Sequence, residues 1–148
     1  MSITIPERIL KARAGSNPAV ICRLPSGWAV LCDMQLLRGY TILLPDPVVA
    51  SINDLDRLQR ADYLSDMALI GDVLLEVTGA YRINYCILGN SDPYLHAHIV
   101  PRFLSEPDEY RKGLPWSYPL ELVNTHPFDH ERDKELMEQI AGAIQRRL

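Results

Sequence analysis

The chain has no apolar run approaching the roughly 18 to 20 residues that cross a bilayer as a helix, which excludes a helical membrane span. Its opening, MSITIPERILKARAG, lacks the long apolar stretch of a secretory leader, so the cytoplasm is the expected location. Cysteine is scarce: Cys22, Cys32 and Cys86 are odd in number, lie among apolar neighbours, and none has a second Cys or His within four positions. That spacing argues against a disulfide framework or a cysteine-ligated metal, and for three reduced core thiols. Positive charge is also short, because 15 Lys and Arg against 19 Asp and Glu leave a net charge of −4. Non-specific nucleic-acid binding needs the opposite sign over a broad surface, whereas a small anionic ligand in a locally basic pocket stays open. Repeats, low-complexity tracts and linker-like runs are absent. The 148 residues are therefore read as one domain, 1–148, with a core over about 18–103 and a C-terminal extension over 104–148.

What is present suits a globular chain: 47% hydrophobic and 23% charged residues, with a mean hydropathy near zero. Residues 19–24 (AVICRL) and 28–33 (WAVLCD) are rich in branched and aromatic side chains and flank Pro25-Ser26-Gly27, a hairpin signal. A third strand, 40–44, stops at Pro45-Asp46-Pro47, since proline cannot donate to a strand ladder. From Asp54 to Thr78 the apolar residues recur at a helical period of about 3.6. Ser51 with Asp54 resembles a capping box at its start, and Gly79 supplies a left-handed closing residue. Two more strands, 82–88 and 94–100, flank the turn formers Gly89 to Pro93. Prolines keep 103–128 irregular and wrapped over the domain. Leu136, Ile140, Ile144 and Leu148 then mark an amphipathic helix in 129–148. The expectation is an α+β domain: a five-stranded antiparallel sheet with a long central helix and a C-terminal helix.

The segment Tyr94-Leu95-His96-Ala97-His98-Ile99 carries the chemistry, because side chains of a strand alternate between faces. Tyr94, His96 and His98 share one face, while Leu95, Ala97 and Ile99 pack under the helix. Residues two apart stand roughly 6.6 to 6.8 Å apart along a strand, so one imidazole can reach a phosphorus while the next contacts its oxygens. Imidazole is nucleophilic in its neutral form and yields a phosphoramidate that water or another acceptor then cleaves. Nonbridging charge calls for donors such as His98, backbone N–H groups or an arginine. No metal or other cofactor is required in principle.

The stretch Arg82-Ile83-Asn84 through Leu88-Gly89-Asn90 to Tyr94-Leu95-His96-Ala97-His98-Ile99-Val100-Pro101-Arg102 resembles the signature of a bacterial branch of the histidine triad (HIT) family. The likeness extends back through Trp28-Ala29-Val30-Leu31 and Arg38-Gly39-Tyr40, covering roughly residues 20–103. It implies a hydrolase or transferase that acts at the α-phosphate of nucleoside phosphoramidates or dinucleoside polyphosphates through a nucleotidyl-histidine. His96 takes the nucleophile position and His98 the phosphate-contacting one. Asn84 and Asn90 fall where amides lie near the phosphates, and Asp33 where an acidic or amide residue holds the ribose, with a possible slip of one residue. Arg102 is counted with these substrate contacts, its alternatives being a partner acid or solvent. The implied partners are a purine nucleotide or its conjugate and a second copy of the chain, joined sheet edge to sheet edge. The first triad position is Tyr94 rather than histidine. A phenol cannot become cationic near neutral pH, so a catalytically weak nucleotide-binding protein is the alternative reading. His126 and His130, four apart, are read as surface or capping residues rather than metal ligands, and Trp116 as an anchor of the irregular segment outside the site.

Overall fold

The computed structural model describes residues 3–148. A single antiparallel sheet runs in the order β1-β2-β3-β5-β4, built from β1 (Val20–Leu24), β2 (Gly27–Leu31), β3 (Thr41–Pro45), β4 (Arg82–Ile87) and β5 (Ala97–Arg102). The expected α+β class and five strands are present. The turn between β1 and β2 is fastened from outside the sheet: Asp66 accepts from the Ser26 N–H at 2.9 Å and from its hydroxyl at 2.6 Å.

Helix α2 (Arg57–Thr78) crosses the sheet. The Ser51–Asp54 capping box exists, but it closes a 3₁₀ turn over Ile52–Asp54. The long helix has its own reciprocal cap, Asp56 with Gln59, and ends where Gly79 adopts φ 75°, a conformation that a side chain disfavours. Helix α5 (His130–Gln145), capped by Asp129, lies beside it. Together they cover one sheet face: Tyr63, Ile70 and Leu74 of α2 and Leu136, Ile140 and Ile144 of α5 pack on Leu43, Ala97 and Ile99. The core therefore reaches well beyond residue 103, because α5 supplies part of its centre.

The opposite face decides where a ligand can sit. One end is covered by an unexpected element, α1 (Ile5–Arg13), so the order is helix, three strands, helix, two strands. Its signals are local: Thr4 caps it, Pro6 occupies the first turn, and Lys11 and Arg13 close the last. Ile5 and Ile9 pack with Val30 and Leu44 of the sheet. The other end is covered by the 103–128 segment, which folds into the one-turn helices α3 (Asp108–Arg111) and α4 (Leu120–Val123) around a 3₁₀ turn at Pro115–Ser117. Its Tyr118 packs with Cys32, Leu37, Tyr40 and Val100.

Candidate active site

Between α1 and the 103–128 segment the second face is left open as a cleft of about 490 Å³. His96, His98, Asp33 and Asn90 line it, together with Arg8, Cys32, Tyr40, Asp92 and Trp116. The strand that presents the histidines begins later than expected, at Ala97 rather than Tyr94. The facing pattern nevertheless holds: Leu95, Ala97 and Ile99 join the core under α2, and His96 and His98 stand on the cleft side.

The two imidazoles lie edge to face, 4.9 Å between centroids at 68°, yet each is held differently. His96 Nδ1 is 2.8 Å from the backbone carbonyl of Tyr94. A carbonyl only accepts, so Nδ1 carries a hydrogen and, in the neutral ring, Nε2 keeps its lone pair. His98 Nδ1 lies 2.6 Å from the Tyr40 hydroxyl. Burial, then the neighbouring His96 ring, pushes His98 down to about 4, so it is neutral at pH 7. Burial keeps the Tyr40 phenol protonated. With Tyr40 assigned as the donor to Nδ1, the hydrogen of His98 resides on Nε2. One ring thus offers a lone pair and the other a hydrogen-bond donor.

Tyr40 is placed by its own loop. Gln35 Nε2 donates to the carbonyls of Cys32 and Tyr40, and Gln35 Oε1 accepts from the Gly39 N–H. Cys32, beside it, is held up at about 11 by burial, which leaves a thiol rather than a thiolate nucleophile in the cleft wall.

The remaining expected residues divide. Asp33 borders the cleft but is engaged by Arg8 of α1, whose two terminal nitrogens donate to its carboxylate at 2.7 and 3.2 Å. Asn90 is exposed on the Leu88–Asp92 loop that forms the cleft rim, and Asp92 ties this loop to α1 by accepting from the Ile5 N–H at 2.9 Å. Tyr94 contributes its carbonyl to His96, while its side chain packs against the cluster of Ile5, Ile9, Val30 and Leu44. Asn84 and Arg102 stand outside the cleft lining. Arg102 is buried, 2% exposed, where it donates to Asn84 Oδ1, to the carbonyls of Tyr110 and Gly113, and to Glu106. The structure places these two positions in that network, which holds the 103–113 segment, and not among the cleft-lining residues; for Arg102 the partner acid is the alternative it realises.

Arg8 and Tyr40 of the cleft were not singled out in the sequence, and Trp116 was set outside the site. Arg8 lies on the unforeseen helix, and Tyr40 looks like an ordinary strand residue. Trp116, expected as an anchor of the irregular segment, stands 5.3 Å from His98 at 84° between ring planes. His126 and His130 are exposed and do not line the cleft, and no group of three or more His, Cys, Asp or Glu is placed to hold a metal among the described residues.

No family model matches the sequence, and no curated protein matches it. Solved structures do. A histidine triad protein from Marinobacter aquaeolei VT8 superposes with a TM-score of 0.72 at 19% identity, over 95% of this chain and 94% of that one. A hypothetical histidine triad nucleotide-binding protein from Sulfolobus tokodaii strain7 gives 0.71 at 16% identity, over 95% and 92%. A histidine triad protein from Sinorhizobium meliloti 1021 gives 0.68 at 24%, over 87% and 88%. The fold is therefore that of the histidine triad proteins.

Proposed function

We propose that this protein is a nucleotide-binding hydrolase or nucleotidyltransferase that cleaves nucleoside phosphoramidates or dinucleoside polyphosphates at the α-phosphate. The observation that carries the reading is the pair of hydrogen bonds that hold the rings, His96 Nδ1 to the Tyr94 carbonyl and His98 Nδ1 to the Tyr40 hydroxyl, from which a free Nε2 on neutral His96 and a donating Nε2–H on His98 are assigned. His96 Nε2 attacks phosphorus, the bond from phosphorus to the leaving nitrogen or oxygen breaks, and the leaving group takes up a proton. Water then attacks the same phosphorus, the bond to His96 breaks, and a nucleoside monophosphate is released. The His98 N–H stabilises charge on a nonbridging oxygen in both steps.

Arg8, which lines the cleft beside Asp33, is the candidate arginine for a phosphate, and Arg102 is not among the lining residues. Asp33, beside it, is the candidate ribose contact and Asn90 a candidate phosphate contact; a purine base is carried over from the family resemblance alone. The alternative of a weakly catalytic binding protein draws on Tyr94. That substitution leaves the backbone carbonyl that sets the His96 tautomer in place, which favours the catalytic reading. A homodimer belongs to the same proposal: β4 is an edge strand, and Tyr81, Tyr85 and Leu88 on or beside it are exposed.

The test is incubation with adenylylated and guanylylated phosphoramidates and dinucleoside polyphosphates, with mass spectrometry of the intact protein. A nucleotide adduct on His96 and its loss in a folded His96→Ala variant are expected. Full turnover by that variant sinks the mechanism.

A further inference from the structure

His96 stands just ahead of β5, whose ladder begins at Ala97. The sheet therefore pairs neither the nucleophile nor Tyr94, whose carbonyl orients it. Tyr94 ends a run, 89–94, in which Gly89 takes φ 74° and Pro93 has no N–H to offer. Whatever fixes that carbonyl has to come from outside the ladder. Its peptide plane is held on one side by the Leu95 N–H, which donates to the Val49 carbonyl at 2.9 Å. A single hydrogen bond is a hinge, about which the plane still turns. The other side of the plane is the Tyr94 Cα, and what places it is helix α1.

Among the described residues, one hydrogen bond joins 89–94 to a helix or strand: the Asp92 carboxylate accepts from the Ile5 N–H at 2.9 Å. An acid suits that place, because the first N–H of a helix has no partner inside it and carries the positive end of the dipole. The Tyr94 N–H closes the loop on itself by donating to the Asp92 carbonyl at 2.8 Å, and the Tyr94 ring packs with Ile5 and Ile9 of the same helix. The helix is a firm support: Ile5 and Ile9 pack with Val30 and Leu44, and Arg8 and Arg13 pair with Asp33 and Asp46. We propose that Asp92 is a positioning residue for the nucleophile, fastening the Tyr94 carbonyl to α1 so that the plane cannot turn away from His96. This deepens the preceding proposal and rests on it for the role of His96. Where the plane turns, His96 Nδ1 loses its acceptor, and the neutral ring is free to carry its hydrogen on Nε2, the atom that attacks phosphorus. Asp92 also borders the cleft, so direct contact with a ligand is the competing role.

The test reads the ring itself, by long-range proton–nitrogen correlation NMR at about pH 8, above the usual imidazole range, with the four histidines assigned from single variants. The Nδ1–H form of His96 should dominate in the native protein and give way to the Nε2–H form in Asp92→Ala. Asp92→Asn keeps an oxygen acceptor for the Ile5 N–H and should restore it. Turnover of adenosine and guanosine 5′-phosphoramidates should follow: kcat about tenfold or more lower in Asp92→Ala with KM within about threefold, and recovery in Asp92→Asn to within about threefold of native. Ile5→Pro removes the N–H at a first-turn position that suits proline, whereas Ile5→Ala keeps it, so kcat of the first should be about fivefold or more below the second. An unmoved His96 ring in folded Asp92→Ala, or Asp92→Asn as impaired as Asp92→Ala, overturns the proposal. A raised KM at unchanged kcat also overturns it and assigns Asp92 to the ligand. If Asp92→Ala does not fold, the Ile5 pair decides, and equal ring signals with equal kcat overturn the proposal. Absence of turnover by the native protein sinks the hydrolase reading, and the ring spectra alone then decide the positioning role.

Discussion

Replacing Arg102 by Met is the sharpest test of how the site is held. The guanidinium is 2% exposed and paired with Glu106, whose side chain is 5% exposed. Nη1 donates to Asn84 Oδ1 and to the Gly113 carbonyl, each at 2.8 Å, Nη2 to the Tyr110 carbonyl at 2.7 Å, and Nε to Glu106 at 3.2 Å. Met keeps most of the stem volume and removes every donor. Glu106 would then be left with the Tyr118 hydroxyl at 2.5 Å and the Phe103 N–H at 2.7 Å. Stranding one member of a buried ion pair costs about 3 to 5 kcal/mol, and each unsatisfied buried acceptor about 1 to 3 kcal/mol. Because groups in one network do not add, the expected loss is about 4 to 6 kcal/mol, a large share of the roughly 5 to 15 kcal/mol that holds a domain folded.

Urea unfolding at pH 7, followed by tryptophan fluorescence, reads that loss as a lower midpoint at unchanged slope. Arg102→Met combined with Glu106→Leu should recover about half or more, since the stranded charge is gone. Acid supplies an independent check. Burial would raise the Glu106 carboxyl, but donation from Arg102, Tyr118 and the Phe103 N–H outweighs it and holds the group below the usual range. Such a carboxylate stabilises the fold above its unfolded value of about 4.3 and loses that contribution as pH falls through the lower folded value. The gap between native and Arg102→Met protein should therefore narrow in acid. A loss under about 1 kcal/mol, or a double variant no better than the single, would refute the reasoning.

His98, held near 4 against an ordinary 6.5, implies that the unfolded chain takes up a proton between those values while the folded one does not. Stability should fall as pH drops from about 6.5 to about 4, and His98→Gln should flatten that part of the urea-midpoint profile; parallel profiles would contradict it. Tyr40→Phe removes the donor to His98 Nδ1, so turnover should drop about tenfold, roughly 1.4 kcal/mol, with the circular dichroism spectrum unchanged; an undiminished rate would show that the hydroxyl does not set the ring. Tyr94→Phe and Tyr94→His keep the carbonyl that holds His96, so kcat should stay within about threefold, roughly 0.6 kcal/mol, and a large gain for the histidine variant would restore the reading of Tyr94 as a defect.

The sequence by itself determined what depends on neighbours along the chain. Alternation through residues 95–99 put Leu95, Ala97 and Ile99 into the core and His98 on the other face, and turn residues marked the β1–β2 hairpin and the Gly79 helix end. Helix α1 was missed in the sequence although its signals are local, in Thr4, Pro6 and the basic last turn, because caps and propensities act within a few residues. Tertiary structure alone decided which partners those faces meet. Tyr40 reaches His98 across 58 positions, Arg8 reaches Asp33 across 25, and Trp116 arrives from the irregular segment. Arg102 was counted with the substrate contacts, a partner acid being one alternative, and only the segment folded over it decided the matter by supplying an acid and three carbonyls. Local rules set which way a side chain points; what stands opposite depends on how distant segments close over the sheet, and no spacing in the chain encodes that by itself.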